Sequence, residues 1–304
     1  MAPPSVSLWT RASALAFALL WSSGFIVAKY ASADADPFTF LVVRFAASFL
    51  LLGLLAFATR APWPAHLGDA AHSIVAGVLL HGGYLAGVWW AIARGLPAGI
   101  AGLITGAQPL LTAVLAVPLL HERIAFRQWC GILIGFAGII MVLAPRLSAV
   151  DVSSLNLLVL PIAATVAATL SVTLGSFYQK RFAAAADLRT GTALQFIGGL
   201  AAVGPLALAT ESLRLDMTAA LVGSLAWSVL GVSIAAIVLL MLLIRHGAVS
   251  RVAALIYLVP PLTALEAYIL FGEKLSPVQV VGMAITVSGV WLATRITAPR
   301  SASA

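Results

Sequence analysis

The tetrad His81-Gly82-Gly83-Tyr84 sets an imidazole and a phenol three residues apart. On an α-helix, spacings of three and four share a face, and Val88 continues that face. An imidazole beside a phenol can hydrogen-bond a carboxylate or an amine, and the two glycines let a ligand or a neighbouring helix approach. The same pair can also serve as an interhelical hydrogen bond with no ligand. The tetrad lies near the middle of an apolar run, 71–93, where ionisable groups generally face a cavity or a protein interior.

Two charges share this setting. Arg44 falls about 10 Å into the run 37–59 at 1.5 Å per residue. It can pair with a substrate carboxylate, or snorkel to the interface and lock helices together, which is the favoured role. Glu266 interrupts the run 248–271 and can act as a proton-coupling carboxylate. The plainer alternative, preferred here, is a carboxylate that reaches water or pairs with Lys274 or Arg44. Tyr257, nine residues earlier, points the opposite way unless Pro260-Pro261 rotates the segment.

Further polar and aromatic candidates are Trp21, Ser22 and Phe25 in the first run, Thr105 and Gln108 in the fourth, and Trp227 and Ser228 in the eighth. Aromatic rings around a midplane cavity suit a flat apolar substrate. Pro109 and Pro260 each remove a helical hydrogen bond, as a hinge or as a static bend. Trp9, Trp63 and Trp129 fit interfacial anchors. The sequence has no HExxH, Walker A or GxSxG motif and no metal-ligand cluster, so no enzymatic activity, cofactor or metal is expected.

The elements that must position these residues follow from composition. Of 304 residues, 62% are hydrophobic and 9% charged, against about 25% charged in soluble domains. Apolar stretches of about 20 residues, each able to cross a bilayer, recur along the chain. Ten spans are expected, near 9–30, 37–59, 71–93, 97–119, 126–145, 155–178, 188–210, 219–244, 248–271 and 277–295. The first is expected to be retained as a span, because MAPPSVSLWTR has no signal-peptide cleavage pattern. Of 17 Lys and Arg residues, eleven fall in one set of loops, five in the other, and Arg44 lies within a span. The positive-inside rule then places both termini in the cytoplasm. It also accounts for the net charge of +7 without nucleic acid. The single Cys130 excludes an internal disulfide.

The chain also repeats itself. At a spacing of 151, without gaps, Gly24/Gly175, Lys29/Lys180, Asp36/Asp187, Gly53/Gly204, Pro109/Pro260, Glu122/Glu273, Gly131/Gly282 and Gly138/Gly289 coincide. Positions 109–138 match their counterparts at 11 of 30 residues. Arg44 faces Gln195 in this alignment, and Glu266 faces Leu115. Five spans fill one period, and five is odd, so the second copy enters the membrane from the opposite side. Inverted repeats of this kind are a recurrent plan of secondary transporters. The glycine pairs in spans five and ten fit close helix packing.

The stretches LLWSSGFIVAKY at 19–30, FLVVRFAAS at 40–48, GLITGAQPLLTAVLAVPLLHERI at 102–124 and the echo ending FGEKL also resemble the EamA-type branch of the drug/metabolite transporter superfamily. Within that branch the chain looks most like the YddG-type exporters of aromatic and other hydrophobic amino acids. The resemblance implies the same fold class: an all-α integral membrane protein with ten transmembrane helices as two inverted five-helix repeats. The expected organisation is a first repeat at 1–148, a second at 152–299 and a tail at 300–304. The expected function is export of such amino acids across a bacterial inner membrane by alternating access, as a uniporter or coupled to protons. Substrate would sit at the midplane among spans one, three, four, six, eight and nine. Its expected partners are the small-molecule substrate and membrane lipid. Export of drugs or other metabolites on the same fold is the alternative, and a non-transporting scaffold a more distant one.

Overall fold

A computed structural model describes residues 8–108, 110–112, 114–115, 126–148, 152–239, 259–272 and 274–294. Ten helical segments follow in order: α1 (Leu8–Ala31), α2 (Pro37–Ala58), α3 (Leu67–Ala93), α4 (Ala98–Thr105) and α5 (Phe126–Ser148), then α6 (Val152–Phe182), α7 (Leu188–Thr210), α8 (Ala219–Leu239), α9 (Val259–Phe271) and α10 (Pro277–Thr294). These match the ten expected spans in number and order. α3 starts earlier than expected, at Leu67, and α6 continues to Phe182. The charges that marked the expected end of α6, Lys180 and Arg181, instead occupy its last turn, where cations complement the helix dipole.

Local chemistry sets the boundaries. Pro37 opens α2 behind an extended Asp36, where its missing N–H is no loss. α3 stops at Gly95, whose φ of +93° lets the Leu96 N–H reach back to the Ala91 carbonyl. Among the described residues, five helices are long and apolar enough to cross a bilayer, including α2, α3 and α7. Side chains such as Leu54, Phe57, Leu133 and Ile269 stay exposed on the bundle surface, as a lipid-facing belt requires. The protein is an integral membrane protein.

The packing obeys the repeat. α5 packs along α10, α2 along α7 and α4 against α9, each a helix with its own counterpart. α3 packs on α6 and α1 on α8, two pairs that the repeat exchanges. The inversion is visible at the ends of α2 and α7. Glu211, just past α7, accepts from the N–H groups of Phe38 (2.8 Å) and Thr39 (2.7 Å) and the Thr39 hydroxyl (2.8 Å) at the start of α2. At the far end of the pair, the Thr190 hydroxyl of α7 donates to the Pro62 carbonyl (2.9 Å), just past α2. Equivalent helices therefore run antiparallel.

Asp36 and Asp187 are repeat partners, yet they cap differently. Asp36 is drawn away by Ser212 Oγ (2.8 Å) and the Arg214 N–H (3.0 Å), so Glu211 caps α2 in its place. Asp187 accepts from the Arg189 N–H (2.9 Å) and pairs with its guanidinium (2.8 Å). The Arg189 side chain holds the Asp187 carboxyl below its ordinary 3.8, aided by the backbone bond. A depressed folded-state value stabilises above the unfolded value and is lost as pH falls through the folded one. Asp187→Asn is expected to lower stability by about 1 kcal/mol at neutral pH. The gap from wild type should close on acidification below 3.8, read by thermal unfolding in detergent.

Candidate functional site

Helices α3 and α8 each carry a π-helical stretch, Val78–Gly83 and Trp227–Ala235. The first, shifted by 151, falls within the second. A π turn inserts an extra residue and realigns the carbonyls around it. In α3 the Leu79 carbonyl accepts from the Tyr84 N–H and also from the Ser171 hydroxyl of α6 at 2.9 Å. Gly83 makes room for this bond, since a Cβ there would overlap Ser171 Oγ.

Apart from those at the ends of α2 and α7, polar contacts between the two halves gather on α6 and on its counterpart, α1. On α6, Ser171 meets α3, Ser176 meets Gln108 Nε2 at 3.5 Å, and Tyr178 meets His72 Nδ1 at 2.8 Å. On α1, Ser23 accepts from the Trp227 indole N–H at 2.8 Å, and Ser22 Oγ lies 2.7 Å from Glu266 Oε1. Trp21 is half-buried against Phe17, with ring centroids 5.6 Å apart. Trp227 stays half-exposed, whereas Ser228 is buried on its own helix and donates to the Leu225 carbonyl at 3.0 Å.

A second group lies where α2, α3, α4 and α7 meet. Arg44 is 4% exposed, so it does not snorkel. Its guanidinium carbon sits 6.0 Å from the Trp89 ring, and Nε has no hydrogen-bond partner. No carboxylate pairs with it among the described residues. Tyr84 and His81 lie within its electrostatic reach. Tyr84 lies beside Thr105 of α4, while His81 stacks on Phe196 of α7 at 4.7 Å. Phe45 flanks the imidazole at 6.0 Å, Gln195 is its polar neighbour on α7, and Nε2 has no hydrogen-bond partner. His81 and Tyr84 thus both approach Arg44, with the π turn between them.

The two groups are joined. The Thr105 hydroxyl donates to the Gly102 carbonyl at 2.9 Å, and Gly102 lies so close to Thr263 of α9 that a Cβ would come within 2.9 Å of it. Thr263 Oγ1 donates to the Ser22 carbonyl at 3.5 Å. A line of polar residues therefore runs from Arg44 through Tyr84, Thr105, Thr263 and Ser22 to Glu266. Lys274 and Arg44, the partners expected for Glu266, make no ion pair with it among the described residues; Ser22 is its hydrogen-bond partner instead.

Pro260 stands in the first described turn of α9. Pro109 and Tyr257 lie outside the described residues. Ser23, Ser171, Ser176 and the His72–Tyr178 pair were not singled out from the sequence. Their only signal there is a hydroxyl run along one helix, which in α6 is shared with Thr165, Thr169 and Thr173, all bonded to their own backbone.

Among known proteins, the chain is 25% identical over 295 residues to a "Probable amino-acid metabolite efflux pump" of Salmonella typhimurium, covering 92% of each. It is 25% identical over 290 residues to the protein of the same description in Escherichia coli, again covering 92% of each. An "Uncharacterized transporter YvbV" of Bacillus subtilis is 25% identical over 281 residues, covering 90% of this chain and 88% of that one. A solved crystal structure at 20% identity superposes with a TM-score of 0.65 over 94% of this chain and 97% of the other, which shows the fold. The model of the EamA-like transporter family matches residues 8–144 and again 159–295. With both matches covering the two structural halves, the chain belongs to the EamA-like transporter family and is a transporter, not an enzyme.

Proposed function

We propose that the protein exports aromatic and other hydrophobic amino acids across a bacterial cytoplasmic membrane by alternating access, in the manner of the YddG-type exporters. The observation that carries this reading is Arg44. A guanidinium buried in a membrane interior without a carboxylate is unfavourable by several kcal/mol. A substrate carboxylate would relieve that. Trp89, Tyr84 and Phe40 enclose it in buried aromatic packing, with Phe40 and Trp89 stacked at 4.6 Å, which a change of conformation must open to a substrate. Two distant relatives are described as probable amino-acid metabolite efflux pumps, which agrees.

The substrate contacts proposed are Trp21, Ser22, His81, Tyr84, Thr105, Gln108 and Trp227, on helices where the halves meet, together with Tyr257, with Pro109 and Pro260 as the hinges. Arg44, on α2 and so outside the spans that the resemblance gives to the cavity, here takes the carboxylate in place of the structural role favoured from sequence. The paired π stretches of α3 and α8 supply a second pair of symmetry-related weak points at which those helices can change shape. Both termini are placed in the cytoplasm by the distribution of Lys and Arg.

Counterflow tests the assignment. Liposomes holding the purified protein and preloaded with phenylalanine should accumulate labelled phenylalanine well above protein-free liposomes. Folded, monodisperse protein that accumulates none overturns the amino-acid assignment and moves the search to other metabolites.

A further inference from the structure

The membrane interior holds a second unpaired charge-bearing group, and its hydrogen bonds define its state. Ser22 Oγ lies 3.0 Å from the Leu19 carbonyl of its own helix and 2.7 Å from Glu266 Oε1 of α9. A hydroxyl carries one hydrogen. If that hydrogen satisfies Leu19, the short contact to Glu266 needs a hydrogen from the carboxyl group. Glu266 Oε2 is buried and has no partner. A carboxylate there would leave two oxygens sharing at most one donor, which the membrane interior strongly disfavours.

Among the described residues, the surroundings offer no counter-charge. From α1, Lys29 and Tyr30 lie beside Phe271, at 6.0 Å and 4.9 Å from its ring centroid, more than a turn beyond Glu266. Described α4 carries no titratable residue in Ala98–Thr105. On α9 itself Tyr268 is turned outward and exposed, and Lys274 beyond its end is exposed. Arg44 reaches Glu266 only through the polar line described above. The arrangement is also single: Leu115 stands in place of Glu266, and Thr173, in place of Ser22, returns its hydroxyl to the Thr169 carbonyl at 2.7 Å.

We propose that Glu266, with Ser22 as its hydrogen-bond partner across α1 and α9, is a proton-coupling site that carries one proton inward for each substrate exported. The proposal rests on the transport reading above. The proton arrives on Glu266 from the side where α1 and α9 end and leaves to the cytoplasm as H⁺, while substrate crosses the other way. Deprotonation takes the carboxyl hydrogen out of the α1–α9 contact, and Ser22 must then release Leu19 to donate to the carboxylate. Proton loss is thereby tied to a change in how the two halves pack.

Phenylalanine distribution across liposomes bearing an imposed pH gradient tests this. With the membrane potential held at zero by potassium and valinomycin, a one-to-one exchange of a proton for zwitterionic phenylalanine sustains about a tenfold concentration ratio per pH unit. Wild type should approach that ratio, Glu266→Gln should fall to about one, and Glu266→Asp should recover part of it. Counterflow from wild type with a ratio of one overturns the coupling while leaving the transport reading intact. Infrared spectroscopy of the wild type provides a readout independent of substrate and of the variants' folding. It should show a protonated carboxyl band at neutral pH, and its absence overturns the proposal even if no phenylalanine is transported.

Discussion

Arg44→Met should abolish phenylalanine transport and leave the protein folded. Methionine keeps much of the side-chain volume beside Trp89 and removes the charge. Replacing an uncompensated buried charge by an apolar group is neutral or stabilising, so Tm in detergent should hold or rise. A buried Arg–carboxylate contact is worth about 3 kcal/mol or more when one partner is removed. That corresponds to a loss of about a hundredfold in kcat/KM for phenylalanine export. Phenethylamine, which lacks the carboxylate, should compete poorly with phenylalanine in wild type. A purely structural Arg44 would give the reverse pattern, with lowered Tm and surviving transport.

The second large effect is expected at the α5–α10 contact. A Cβ on Gly289 would overlap the Gly135 N–H and come within 2.6 Å of the Gly131 carbonyl oxygen. On Gly138 it would come within 2.5 Å of the Thr286 nitrogen and 2.6 Å of the Gly282 carbonyl oxygen. These neighbours are backbone, so only separation of the helices relieves the overlap. Gly289→Ala should destabilise by about 3 kcal/mol, lowering Tm by on the order of 10 °C. Gly53 and Gly204 make the control, because they are also repeat partners but have nothing within 4 Å of a Cβ. Alanine there should be neutral or stabilising by a few tenths of a kcal/mol. Melting curves of the four variants, monitored by size-exclusion fluorescence, distinguish the two pairs.

Gly138 and Gly289 make the close contact expected of the glycine pairs in spans five and ten. The repeat marks Gly53/Gly204 and Gly138/Gly289 alike, since identity at a fixed spacing records common descent of two halves. Which pair touches a neighbouring backbone depends on the rotation of each helix about its axis. In spans apolar on every side, residue pattern fixes that rotation poorly. The π stretch escapes sequence reasoning for a related reason, since VLLHGG has no residue signature that distinguishes it from ordinary helix.

The sequence alone determined the all-helical membrane architecture, the ten helices and the two halves. Those rest on properties summed over some twenty residues at a time, the apolar length a bilayer demands and the odd number of spans in a 151-residue period. It also nominated Arg44 and Glu266, because a charge inside an apolar run is conspicuous wherever it points. Only the tertiary structure decided their partners. Arg44 lies beside Trp89 with no carboxylate, and Glu266 meets Ser22, 244 positions away in the chain. Partnership across such distances depends on which helices pack together and at what height, set by backbone contacts such as Gly102 on Thr263. No local run of residues encodes that.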